Sequence, residues 1–279
     1  GYAKQDTISG DDKHFGWRLG RFFLTGFTRV TADENQQPVF IKTLGDSVTL
    51  WFDLEQDIDA LNGNAQLSLA ADANGYDQQF GIPKTNFGRG TLIVRHTDYQ
   101  NAKNEPAVYT DYLLAKGTTG ANTRIVLHEE GDYEVALDYE VQDGELTHIT
   151  SKFGNYRIFL RFSIRNGNCM VYPFDLLTGA ELQNTAVAEA GFSLDLARSR
   201  YLDINVRRAV LVETANGVIE DERFNRPAKD GDRYTQEGIY TISVSNRYTG
   251  ESTTKTIFVG SQELLETYVR NGFSLERLK

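Results

Sequence analysis

The stretch Tyr156 to Arg165, YRIFLRFSIR, sets apolar Tyr156, Ile158, Leu160, Phe162 and Ile164 on one parity and Arg157, Arg161, Ser163 and Arg165 on the other. A period of two suits an extended strand with one face on a core, because a helix would scatter the same residues around its axis. The pattern predicts a half-buried strand with a cationic outer face. YLDINVRR repeats it, with Leu202, Ile204 and Val206 inward and Asp203, Asn205 and Arg207 outward; GFSLDL and TTKTIFV also alternate. Asn-Gly or Asp-Gly pairs at 62–63, 74–75, 143–144, 166–167, 216–217 and 230–231 punctuate these runs. Such pairs accept the positive φ of tight turns, so the chain reads as many short strands in an all-β sandwich or barrel. The exception is SQELLETYVRNG, where Leu264, Leu265, Tyr268 and Val269 share a helical face, Ser261 can cap the start and Gly272 can end it. A further turn is expected at Ser274 to Leu278.

One step occurs twice. Glu130-Gly131-Asp132-Tyr133-Glu134-Val135 and Glu237-Gly238-Ile239-Tyr240-Thr241-Ile242 each read Glu-Gly, one residue, Tyr, one residue, aliphatic. In immunoglobulin-type sandwiches a Tyr near the start of strand F folds over the corner, its ring inward and its hydroxyl on upstream backbone. Tyr133 and Tyr240 are therefore the candidate structural residues, one for each of two sandwiches. GDSVTLWF, Gly45 to Phe52, resembles the turn into strand B and strand B itself, with Val48, Leu50 and Phe52 inward. Phe52 and Val135 then stand where an antibody domain has its disulfide.

DGDRYTQEGIYTISVSNRYTGESTTKTIFVG, Asp230 to Gly260, resembles the closing half of the bacterial immunoglobulin-like domains of secreted and cell-surface proteins of Gram-positive bacteria. The resemblance covers about a tenth of the chain closely and extends loosely back to Asn168. It implies extracellular, modular, usually non-enzymatic proteins, and it carries no functional residues across. The first domain resembles the class only at Gly45–Phe52 and Glu130–Tyr139, and its middle, Asp53 to Glu129, reads as insertion. The expected organisation is a disordered leader at 1–15, a sandwich with insertions at 16–166, a second sandwich at 167–260 and a helical tail at 261–279.

Charge narrows the partners. With 29 Lys and Arg against 39 Asp and Glu the formal charge is −10, which disfavours nucleic acid, whose phosphates call for clustered cations. No apolar run is long enough for a membrane span. The one cysteine, Cys169, sits in NCMVYPF and reads as a small buried hydrophobe. None of His14, His96, His128 and His148 makes a metal pair at i, i+4, no Gly-x-Ser-x-Gly elbow occurs, and no cofactor is expected. His96 and Asp98 fall on one strand face, as a hydrogen-bonded pair or a plain surface pair.

Oxygen ligands around turns raise a calcium alternative. Asp53, Glu55, Asp57 and Asp59, and Asp72, Asn74 and Asp77, form acidic runs without EF-hand spacing; they read as solvated edges or as a calcium loop. Paired carboxylates of a glycosidase cannot be singled out among so many acids. Trp17, Trp51, Tyr76, Tyr99 and Tyr248 can stack on sugars or belong to strand faces, and NRYTGE, Asn246 to Glu251, reads as a hairpin end loop of the kind that carries binding. The expectation is a non-catalytic extracellular adhesion, binding or spacer protein of a bacterial cell surface, with a protein or glycan ligand. The alternative is a carbohydrate-binding or carbohydrate-processing accessory module.

Overall fold

A computed structural model describes residues 1–7, 18–54, 67–70, 76–77, 79–83, 91–109, 124–143, 152–212 and 217–273. It is mostly strand, with several sheets and one short helix near the C-terminus. The chain divides into two compact units, Gly1–Asn166 and Gly167–Lys279.

The first unit holds β1 (Tyr2–Thr7), β2 (Arg18–Thr25), β3 (Arg29–Ala32), β4 (Pro38–Lys42), β5 (Val48–Leu54), β6 (Leu67–Ala70), β7 (Tyr76–Asp77), β8 (Ile82–Pro83), β9 (Thr91–Thr97), β10 (Ala107–Tyr109), β11 (Ile125–Leu127), β12 (Gly131–Asp143) and β13 (Lys152–Asn166). One sheet runs β1-β2-β5-β11 and the other β10-β9-β12-β13-β4-β3, with β6 alongside β12. The second unit holds β14 (Tyr172–Asp175), β15 (Val187–Ala188), β16 (Phe192–Asp195), β17 (Asp203–Val212), β18 (Gly217–Pro227), β19 (Arg233–Tyr234), β20 (Gly238–Asn246), β21 (Glu251–Val259) and α1 (Gln262–Arg270). Its sheets run β14-β16-β19 and β15-β21-β20-β17-β18.

Every strand of the second unit's two sheets has a counterpart in the first unit. β10-β9-β12-β13-β4 matches β18-β17-β20-β21-β15, and β2-β5-β11 matches β14-β16-β19. The parallel pairs correspond as well, β4 with β13 and β15 with β21, each in a sheet otherwise antiparallel. The stretch from Asp53 to Glu129, read from sequence as insertion, thus supplies three regular strands, β9, β10 and β11. Among the described residues β1, β3, β6, β7 and β8 lack a counterpart in the second unit.

Each core is the meeting of inward faces from both sheets. In the first unit Phe22, Leu24, Leu50 and Phe52 of one sheet join Phe40, Val135, Leu160 and Phe162 of the other in a single cluster. In the second, Phe192 and Leu194 join Val206, Tyr240, Ile242 and Ile257. Each such side chain contributes about 1.5–3 kcal/mol by leaving water. Free Cys169 lies in the second core, its thiol donating toward the Val244 and Glu251 carbonyls.

Three expectations need correction. Tyr2–Thr7, placed in a disordered leader, pairs with β2 as β1, and the Tyr2 ring packs edge-on against Phe40 at 5.1 Å. On β13 the outer face is cationic only in part: Arg157 and Arg161 are exposed, whereas Ser163 and Arg165 are buried by polar contacts with the start of β12. The helix is no separate tail. Leu265, Tyr268 and Phe273 pack on Ile239 and Phe258, outward residues of β20 and β21, and the Tyr268 hydroxyl accepts from the Leu211 amide at 3.1 Å. Ser261 caps α1 by accepting from the Leu264 amide, and Asn271 is its C-cap, just before Gly272 at φ 89°. The turn expected at Ser274 to Leu278 lies outside the described residues.

Coverage by α1 explains why Phe258 is buried along with its neighbours Ile257 and Val259 although their strand alternates: alternate residues face the core and the helix. The first unit has a smaller version, in which Phe80 packs on Ile93 and Ala136. The guanidiniums of Arg95 and Arg157 lie 5.1 and 5.4 Å from the Phe80 ring centre.

Leu265→Ala should lower unfolding stability by about 2–4 kcal/mol, whereas Val269→Ala, at an exposed position, should stay within about 0.5 kcal/mol. Urea titration of the two variants checks that α1 is part of the second unit.

Candidate functional site

The repeated Glu-Gly-x-Tyr step opens β12 and β20. Tyr133 is 4% and Tyr240 0% exposed. The Tyr133 hydroxyl donates to the Glu129 carbonyl at 2.6 Å, and the Tyr240 hydroxyl to the Gln236 carbonyl at 2.8 Å, each four residues upstream. Burial pushes the Tyr240 phenol up to about 12, so it remains a donor.

Directly across the sheet from each tyrosine stands a nitrogen donor: His96 on β9 opposite Tyr133, and Arg208 on β17 opposite Tyr240. Each reaches past the glycine to the carbonyl of the glutamate before it. His96 Nε2 lies 2.8 Å from Glu130 O, and Arg208 donates through Nε at 2.8 Å and through Nη2 to Glu237 O. A carbonyl only accepts, so His96 donates through Nε2, and its Nδ1 lies 2.9 Å from Asn104 Nδ2.

The glycines make the reach possible. Gly131 has φ 152° and Gly238 φ 140°. A Cβ at Gly131 would collide with the His96 ring and lie 2.5 Å from the Thr97 carbonyl oxygen; at Gly238 it would lie 2.6 Å from the Ala209 carbonyl oxygen and 3.2 Å from Arg208 Nε. Aromatic packing fixes the remainder: Tyr133 stacks on Phe162 at 5.3 Å, and Phe192 meets Tyr240 edge-on at 5.3 Å. Arg208 also pairs with Asp221 at 2.8 Å, and Arg223, then Arg208, hold that carboxyl down to about 2.

In the first unit the corner continues into a polar network around the buried Arg165 and Lys42. Arg165 donates to the Gly131 carbonyl and pairs with Asp132, both at 2.9 Å, and Ser163 donates to the same carboxylate. Glu130 accepts from the Asn166 amide at 2.6 Å, and Lys42 Nζ donates to Asn166 Oδ1 at 2.6 Å. Burial raises the Glu130 pKa and lowers that of Lys42, against the attraction between the two charges.

Beside Tyr133 the core opens into a cleft of about 330 Å³, between β9 and β10 at the edge of one sheet and β11 at the edge of the other. Val94, Ile125, Leu127 and the Tyr133 ring give it an apolar lining. Glu105, Tyr109, His128 and Glu129 add polar groups, and all four residues are exposed.

The other residues named from sequence are placed as follows. His96 does not pair with Asp98, whose carboxylate accepts instead from the Gln100 and Ala102 amides of its own turn at 2.9 and 3.0 Å. Trp51 is half-buried, stacked on Phe23 at 5.3 Å with the Arg124 guanidinium 4.5 Å from its ring centre. Tyr99 is exposed and Tyr248 half-buried. In NRYTGE the buried Asn246 side chain accepts from the Tyr248 and Thr249 amides and donates to the Asn168 carbonyl, so the loop is held from within. Trp17, His14, His148 and the side chains of both acidic calcium runs lie outside the described residues; among the described residues no cluster of metal-ligating side chains occurs.

Sequence reasoning missed His96, Arg208 and Asn246 as structural groups. A signal for the first two was present: alternation puts His96 with Leu92 and Val94, and Arg208 with Ile204 and Val206, on inward faces. A polar side chain at a core position needs a partner nearby. No protein-family model matches the chain, and no curated protein matches it either.

Gly131→Ala and Gly238→Ala should each cost about 2–4 kcal/mol, from backbone strain and displacement of the cross-strand donor. Gly45→Ala has open space and strain alone, so it should cost about 1 kcal/mol; denaturant unfolding compares the three. A second expectation concerns pH. The carboxyl of Glu130 is raised on folding, so the unfolded chain ionises first and stability falls as pH rises from about 4.5 toward the raised value. Unfolding of the wild type against Glu130→Gln across this window should show that decline in the wild type alone.

Proposed function

We propose that this chain is a non-catalytic binding, adhesion or spacer component of a bacterial cell surface, built as two tandem immunoglobulin-like sandwiches. One observation carries the reading: two units repeat the same strand order, and each opens its corresponding strand with the same tyrosine-and-carbonyl corner. In immunoglobulin terms β9, β12 and β13, and β17, β20 and β21, take the places of strands C, F and G; β5 and β16 take that of B. The extracellular setting rests on the resemblance of Asp230 to Gly260 to secreted and surface-attached domains. His96, Arg208, Arg165 and Glu130 each bond main chain of their own unit, which suits a scaffold that presents surfaces.

A carbohydrate-binding module is the second reading, favoured by the exposed Tyr109 ring at the mouth of the cleft beside His128 and Glu105. Aromatic faces and carboxylates are the groups on which sugars dock. Immobilised protein screened against arrayed extracellular proteins and glycans, beside ester, glycoside and phosphoester hydrolysis assays, separates the two. Taken as a protein-binding or spacer component, the first reading predicts no turnover and no glycan signal. A saturable glycan signal with a raised melting temperature selects the second, and turnover above the protein-free rate contradicts both.

A further inference from the structure

We infer that the cleft beside Tyr133 receives the side chain of a Lys or Arg presented by a partner protein. This deepens the binding reading above and rests on it. Val94, Ile125, Leu127 and Tyr133 belong to the core of the first unit, yet each contributes surface to the cleft. A cleft of about 330 Å³ stands at the small end of ligand pockets. It suits one side chain with an apolar stem, not a folded surface.

The charge at the mouth selects the head group of that side chain. Glu105 and Glu129 both line the cleft and are exposed. Among the described residues Glu105 has no cationic partner, and Glu129 has only the His96 ring, 3.5 Å away. The Glu129 side chain is 75% exposed, so both carboxylates present oxygens to an incoming cation. Tyr109 adds an exposed aromatic face on the same lining, and such faces attract ammonium and guanidinium groups. Apolar walls below and carboxylates with an aromatic ring above match a long alkyl stem ending in a positive charge. The formal charge of −10 favours encounter with a basic partner.

The test is an NMR titration of the whole chain near neutral pH with the Nα-acetyl N-methylamides of lysine, arginine and norleucine, and with n-butylammonium. The lysine and arginine derivatives should give saturable shifts centred on the Ile125, Leu127 and His128 amides. Norleucine, which keeps the stem and lacks the charge, should bind about fivefold or more weakly, the margin two partly exposed charge contacts supply. Glu105→Gln/Glu129→Gln, changed only at exposed positions, should lower affinity for the lysine derivative by the same factor while leaving norleucine unchanged. Norleucine binding as tightly as lysine, an unaffected double variant, or shifts without saturation would overturn the inference. Tighter binding of n-butylammonium than of the lysine derivative would overturn a presented side chain in favour of a free amine. The array screen tests whether the chain binds partners at all, and this titration tests only what the cleft accepts, so the two failures are distinguishable.

Discussion

The entry of β12 and of β20 depends on satisfying two consecutive carbonyls where a strand turns into the core. Burying such a group without a partner costs about 1–3 kcal/mol. Here the tyrosine hydroxyl takes the first carbonyl, and a nitrogen donor from the neighbouring strand takes the second. The two donors approach from different directions; a Cβ at Gly131 would overlap the His96 ring, and one at Gly238 would crowd Arg208 Nε at 3.2 Å. Glycine, tyrosine and cross-strand donor therefore form one device. The donor itself varies: an imidazole in the first unit, a guanidinium in the second. What the two share is an inward register position and a nitrogen-bound proton aimed at the same carbonyl.

A second theme is the use of both faces of the larger sheet. A half-buried strand needs only alternate apolar residues, but α1 in the second unit and Phe80 in the first cover part of the outer face. The covered positions become apolar too, and the run Ile257 to Val259 loses its exposed parity. In the first unit the cover is also polar. Arg95 pairs with Glu134 at 2.9 Å and donates to the Gln79 carbonyl, fastening the segment that carries Phe80. The buried Arg165 and Lys42 and the half-buried Glu130 add polar contacts at the opposite end of β13 from its hairpin with β12.

Much of this was legible because strand periodicity is a local property. Ile204 and Val206 inward, Asp203 and Arg207 outward, follow from parity alone; of the helical face Leu264, Leu265, Tyr268 and Val269, Leu265 and Tyr268 are buried and Val269 is exposed. What parity could not reveal is which residues a distant segment covers. Arg165 looks like an outward cation until Gly131 and Asp132 of the adjoining strand are placed against it. Tyr2 looks like part of a polar leader until the Phe40 ring supplies its packing surface. The cleft was equally hidden, since Tyr109, Leu127 and Glu105 meet only through the pairing of β10 with β9 and of β11 with β5. Asn246 carried a faint sign, an amide at the head of a hairpin turn, but its bond to the Asn168 carbonyl is long-range.

The proposed role follows from where polar groups are engaged. Inside each unit they hold main chain, and at the cleft Glu105, Tyr109 and Glu129 face outward with an apolar lining behind them. The central claim is that each tyrosine hydroxyl holds a corner through its carbonyl. Urea unfolding of Tyr133→Phe and Tyr240→Phe tests it most directly, because only the hydroxyl is removed and the ring packing stays. The account expects each variant to lose about 1 kcal/mol. Unchanged stability in both would show that ring packing alone shapes the two corners.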